Sequence, residues 1–136
     1  MGPTARLFAA VGAGASIGSV TRYLLSVAAF DLFGSGALWG TLAANILGSF
    51  LIGLYATMTG PGGRLEASVP MRQFVLAGFC GGFTTFSIFS LETLLFLDRG
   101  QFLLAGTYVG ASLCLWLAAV WLGYLAGTEL NRPRAA

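Results

Sequence analysis

The sequence predicts an all-α integral membrane protein with four transmembrane helices per subunit, and three observations carry that prediction. Of its 136 residues 57% are hydrophobic and only 9% are charged, where a soluble domain carries about 25% charged residues. Four apolar stretches, over 7–30, 38–59, 74–97 and 102–125, each have the length needed to cross a hydrocarbon core of about 30 Å. The segments between them are short and carry turn chemistry: Asp31 with Gly34-Ser35-Gly36, then Thr59-Gly60-Pro61-Gly62-Gly63 with Arg64 and Glu66, then Asp98-Arg99-Gly100. Residues 1–136 are thus expected to form one transmembrane domain. Within it 126–136, with Glu129, Arg132, Pro133 and Arg134, read as a polar C-terminal tail.

The first span sets Gly14, Gly18 and Arg22 four residues apart, and small residues so placed let helix backbones approach closely. Its start, with Arg6 ahead of apolar residues and small ones near Ala13 and Ala15, has the outline of a secretory signal. The apolar character continues past Arg22 to Phe30, so it is read as a span. Arg22 cannot discharge and needs water, a partner or an interface. Snorkelling and an anion-attracting vestibule are its two readings.

In the second span Thr41, Asn45 and Ser49 share one helix face. Interhelical hydrogen bonding and a pore lining explain such a stripe equally well. The Asn45 amide has two donors that an anion would use.

The third span holds the most unusual run, Gly81-Gly82-Phe83-Thr84-Thr85-Phe86-Ser87-Ile88-Phe89-Ser90. Hydroxyls and a glycine pair at membrane depth need partners, because an unpaired polar group there costs several kcal/mol. The pair at Gly81 is expected to break the helix near its middle. Phe86 and Phe89, three apart, face lipid or turn their positive ring edges to a small anion. Glu92, a turn and a half before the end of the span, is an interfacial or a functional carboxylate.

In the fourth span Tyr108, Ser112 and Trp116 form one stripe, with hydroxyls for a pathway from the first two and a packing or interface role expected of Trp116. Cys80 and Cys114 lie inside spans and read as buried reduced thiols.

Composition excludes much else. Histidine and lysine are absent, which removes the commonest proton shuttle, the usual metal ligand and Schiff-base chemistry. No enzyme is expected. A net charge of +2, scattered over loops and ends, points to no nucleic-acid partner. Four such helices enclose little, so a pathway needs an oligomer. The lining on offer is neutral donors (Asn45, Thr41, Ser112, Ser90, Tyr108), aromatic edges and Arg22, where cation pathways prefer carbonyl or carboxylate rings. A small, hydrogen-bond-accepting anion fits that inventory.

Gly78-Phe79-Cys80-Gly81-Gly82-Phe83-Thr84-Thr85-Phe86-Ser87-Ile88-Phe89-Ser90 resembles the signature of the Fluc (CrcB) family of fluoride ion channels. Gly40-Thr41-Leu42-Ala43-Ala44-Asn45-Ile46-Leu47-Gly48-Ser49-Phe50 resembles its second-helix motif, and Gly14-Ala15-Ser16-Ile17-Gly18 with Arg22-Tyr23 its first. Ile88 departs from that pattern, standing where the family often has a hydroxyl. The resemblance implies a dual-topology, antiparallel homodimer in the bacterial inner membrane. Two fluoride pathways would run along the subunit boundaries and let cytoplasmic fluoride escape passively. It implies Asn45 as a pathway donor and Phe86 and Phe89 as ring edges. It also implies a polar lining of Thr41, Ser90, Glu92, Tyr108 and Ser112, with Arg22 by the vestibule. The Gly81 and Thr84 carbonyls would hold one structural sodium, Na+, that is not transported. The alternative is a proton-coupled exporter of the small four-helix multidrug type. Those proteins carry a first-span carboxylate where this chain has Arg22.

Arginine placement sets an expectation of its own. Arg6, Arg64, Arg72, Arg132 and Arg134 fall on the side of both termini, against Arg99 and Arg22. That bias favours termini inside, whereas dual insertion wants near balance.

Overall fold

The computed structural model describes residues 2–34 and 37–132. In chain order it contains α1 (Pro3–Phe33), α2 (Ala37–Met58), α3 (Val69–Gln73), a π-helical segment (Phe74–Cys80), α4 (Gly81–Phe83), α5 (Phe86–Asp98) and α6 (Phe102–Asn131). The third span therefore comprises α3, the π-helical segment, α4 and α5. Ser35 and Gly36, expected in the first turn, lie outside the described residues, as do Pro133 and Arg134 of the expected tail.

Three stretches, Leu38–Met58, Val69–Asp98 and Phe102–Asn131, are long and apolar enough to cross a membrane. The expected first span corresponds to α1, which at 31 residues or about 46 Å has the length to cross as well, with a less apolar composition than the other three. Gly12, Gly14, Ser16, Gly18, Ser19, Thr21 and Arg22 dilute its apolar content.

The tail also begins later than expected, because α6 continues through Asn131. The last turn is held from both sides. Asn131 Nδ2 donates to the Thr57 carbonyl at 3.1 Å, and its Oδ1 accepts from Arg64 N at 3.0 Å.

Large apolar side chains cover the outside and small or polar ones fill the inside, as a lipid solvent requires. Leu103, Phe8 and Leu117 are exposed, while Ala44, Thr41, Asn45 and Ser112 are buried. Glycine makes so thin an interior possible. A Cβ on Gly53 would lie within 3.0 Å of the Val120 carbonyl oxygen, and one on Gly123 within 3.0 Å of that of Phe50, so α2 and α6 meet backbone to backbone. Gly14 and Gly18 make the same approach to the π-helical segment, and Gly82 to Ala15.

Gly18→Ala is accordingly expected to lose about 1–3 kcal/mol, because its methyl would press on the Phe79 carbonyl, which is backbone and cannot swing away. Gly12→Ala, where a Cβ meets nothing within 4 Å, should be neutral or slightly stabilising. Thermal unfolding of both variants in detergent checks the contrast, and equal midpoints would refute the packing argument.

The third span changes conformation past the glycine pair, not at it. Gly81 is helical, with φ −64° and ψ −36°. Thr84 (φ −80°, ψ 158°) and Thr85 (φ −148°, ψ 123°) are extended. Thr85 then acts as N-cap of α5, its Oγ1 accepting from Ile88 N at 3.3 Å. At the other end Gly100 is left-handed, with φ 71°. Gly100 N donates to Leu97 O and Gln101 N to Phe96 O, both at 2.9 Å, which is the Schellman arrangement that stops α5 and turns the chain into α6.

Candidate functional site

Two extended residues inside a membrane span free backbone groups that must find partners. Asn45 on α2 supplies two of them. Its Oδ1 accepts from Thr85 N at 2.7 Å and its Nδ2 donates to Thr85 O at 2.9 Å, with both residues buried. The amide thus pairs reciprocally with one residue of the interruption, and its second Nδ2–H remains. The sequence expectation gave Asn45 two donors for an anion, and the fold uses one of them.

A third freed group is the Gly82 carbonyl. Arg22 Nε donates to it at 3.2 Å and Ser19 Oγ at 3.4 Å. Arg22 Nε thus secures the end of α4 in a half-buried position, while its two terminal nitrogens have no hydrogen-bond partner among the described residues. No side chain or loop amide among the described residues donates to the Gly81 or Thr84 carbonyl. A Cβ on Gly81 would meet nothing within 4 Å, so no contact inside this chain demands glycine there. Among the described residues no cluster of His, Cys, Asp or Glu has the make-up of a metal site.

Around the interruption lies a groove of about 330 Å³, lined by Asn45, Ser49, Thr84, Thr85, Phe86 and Trp116 among others. Gly81 also reaches it. Groove and interruption form one feature: the second-span stripe turns toward the third span, and Ser49 lines the wall one turn beyond Asn45.

Phe86 and Phe89 do not play equal parts. Their ring centroids are 5.6 Å apart at 49°, yet Phe86 is 70% exposed and Phe89 only 5%. Phe89 sits among Tyr108 (5.1 Å) and Trp116, whose ring it meets edge-on at 4.8 Å and 69°. Phe86, at the first turn of α5, is exposed at the groove, while Phe89, three positions later, points at α6.

Beyond Phe89 is a second polar cluster. Thr41 Oγ1 donates to Glu92 Oε1 at 2.9 Å, and Tyr108 OH to Glu92 Oε2 at 2.6 Å. Three helices, α2, α5 and α6, thus converge on one carboxylate. It accepts charge-assisted bonds at both oxygens.

Three expected residues fall differently. Ser90 Oγ donates to the Phe86 carbonyl at 2.8 Å on an exposed face, a back-bond open to hydroxyls in helices. Ser112 is fully buried, and its Oγ has no partner among the described residues. Cys114, expected buried, is exposed, while Cys80 is buried beside the groove, because the α6 face at 112 points inward and that at 114 outward.

Two participants escaped the sequence reading. Thr85 is one, although a hydroxyl residue just before an apolar run is a helix-start signal. Trp116 is the other. Expected to pack or to sit at an interface, it lines the groove, and its buried Nε1 has no partner among the described residues.

Comparison with known proteins agrees with this architecture. A family model described as "CrcB-like protein, Camphor Resistance (CrcB)" matches residues 9–124. The chain is 52% identical over 128 residues to "Fluoride-specific ion channel FluC 1" of Rhodopseudomonas palustris (strain BisB18), covering 94% of this chain and 91% of that one. It is 48% identical over 129 residues to "Fluoride-specific ion channel FluC 1" of Bradyrhizobium diazoefficiens, covering 95% and 89%. To "Fluoride-specific ion channel FluC" of Opitutus terrae it is 46% identical over 125 residues, covering 92% and 95%.

Proposed function

The chain belongs to the CrcB family, and we propose that it is a fluoride-selective channel of the bacterial inner membrane through which cytoplasmic fluoride leaves down its gradient. The observation that carries this reading is the groove, which is lined both by Asn45, with its spare Nδ2–H, and by the exposed Phe86. Fluoride is small and strongly hydrated. A narrow path must replace its lost water with short donors and positive ring edges, which larger halides fit worse.

One chain leaves that groove open on the side where Phe86 is exposed, so a second copy is needed to close it. An antiparallel homodimer would do so twice, giving two pathways along the subunit boundaries with lipid around them. The polar lining would continue past Phe89 to Ser112, Tyr108, Thr41 and Glu92. The free nitrogens of Arg22 would draw anions toward one mouth. Ser90 would join the lining only if the partner copy faces it.

The Gly81 and Thr84 carbonyls suit a hard cation by donor type. Among the described residues they receive no side-chain or loop hydrogen bond, and the open space before Gly81 leaves room for a partner copy's own pair. A sodium held there would supply fixed positive charge close to the anion route. Two carbonyls do not complete a coordination shell, which is a further reason to expect the second chain.

A proton-coupled exporter would need an approachable carboxylate. Both oxygens of Glu92 already accept hydroxyl bonds, and no observation favours that reading.

The test is efflux from liposomes holding the purified protein, read with a fluoride electrode beside chloride. Fluoride efflux that needs valinomycin and no pH gradient is expected. Efflux of chloride at an equal rate, or none of either from a folded dimer, refutes the channel reading. Replacing sodium throughout by N-methylglucamine should reduce both flux and dimer stability; no change in either would refute the assignment of Gly81 and Thr84.

A further inference from the structure

We propose that the indole N–H of Trp116 donates a hydrogen bond to the permeating anion, making Trp116 an anion-binding residue of the pathway and not a packing residue. The inference rests on the channel reading above. Its observation is separate: among the described residues, the buried side-chain polar atoms without a partner are Trp116 Nε1 and Ser112 Oγ. They sit one helical turn apart on the same face of α6.

An indole N–H is a donor only, whereas a hydroxyl both donates and accepts. What meets Nε1 must therefore be an acceptor, and a cation is ruled out at that atom by chemistry. The ring is also held. Phe89 abuts it edge-on at 4.8 Å and 69°, a contact that restricts the ring's rotation.

Position supports the assignment. Trp116 lines the groove together with Asn45, Thr85 and Phe86. On α6 the stripe runs from Trp116 through Ser112 to Tyr108, whose hydroxyl is on Glu92. The two unpartnered groups thus fill the interval between the groove and the carboxylate cluster. An anion leaving the spare Nδ2–H of Asn45 meets the indole before it meets the serine. Removing Nε1–H leaves that interval with the serine as its one donor.

The deciding measurement is the indole 15N–1H cross-peak of Trp116 in the labelled full-length protein, assigned through the Trp116→Phe variant. It is followed while sodium fluoride, then sodium chloride, is added at constant ionic strength. The cross-peak is expected to move on addition of fluoride and stay with chloride, and fluoride efflux from liposomes of Trp116→Phe to fall on the order of tenfold, about 1.4 kcal/mol. A cross-peak unmoved by fluoride in wild-type protein that conducts fluoride overturns the proposal, whatever the variant does. So does a cross-peak that moves equally with chloride, or a folded variant that conducts at the wild-type rate. If wild-type protein conducts no fluoride and its cross-peak does not move, the channel reading fails and this inference falls with it.

Discussion

Asn45→Asp should abolish fluoride efflux, at a cost in stability that Asn45→Ala shares. The substitution exchanges the amide NH2, and with it both N–H donors, for a carboxylate oxygen at almost unchanged volume. Oδ1 still accepts from Thr85 N, which lies 2.7 Å away. The other oxygen now faces the Thr85 carbonyl across 2.9 Å, acceptor against acceptor, and both residues are buried. A charge of the same sign as the permeating ion then stands at the groove. Two like charges about 4 Å apart at an effective dielectric near 20 repel by about 4 kcal/mol, which is a loss on the order of a thousandfold in flux. Asn45→Ala is the companion variant. It puts no charge in the path but leaves both Thr85 backbone groups unpaired, about 1–3 kcal/mol each, so it should lose stability first. Electrode-detected efflux and thermal unfolding, measured on both, separate the two effects. Near-wild-type efflux by Asn45→Asp would remove Asn45 from the anion route altogether.

The same pair of residues shows what a sequence can and cannot disclose. Hydropathy located the second, third and fourth spans, since twenty or more apolar residues have few other uses. Its signal is weaker over the first, where glycines serve a backbone contact with Phe79 and its neighbours. The interruption of the third span was assigned to Gly81-Gly82 because glycine is the residue most tolerant of unusual backbone. Gly82 is there for a different reason, the close approach of Ala15, and the extended residues are two threonines. β-branched residues favour that conformation, and their capping hydroxyl was visible in the sequence. Burial was not visible. Phe86 and Phe89 look alike at three-residue spacing, and only the start of α5 at Phe86 decides which ring points outward. Long-range partners were beyond reach as well: Thr41, Glu92 and Tyr108 span 67 positions in the chain (108 − 41 = 67) yet share one carboxylate.

Phe86→Ile is expected to cost at least about a hundredfold in fluoride efflux, near 2.7 kcal/mol, at almost no cost in stability. The ring is 70% exposed in the chain, its aromatic neighbour being Phe89. Isoleucine at the first position of α5 breaks no cap, because Thr85 supplies it. What disappears is the positive ring edge, and an aliphatic side chain of similar bulk offers a dehydrated fluoride nothing in exchange. Phe89→Ile gives the necessary contrast. That ring is 5% exposed and touches Tyr108 and Trp116, so its loss should lower stability by about 1–3 kcal/mol besides lowering flux. Size-exclusion chromatography decides whether each variant keeps the wild-type assembly. If Phe86→Ile elutes as wild type and conducts fluoride at full rate, the exposed ring belongs to the lipid or to the partner's packing surface. The pathway must then run on the Asn45, Trp116 and Ser112 side of the groove without it. If it elutes as wild type and is silent, an exposed aromatic that contributes little to folding is held for the ion.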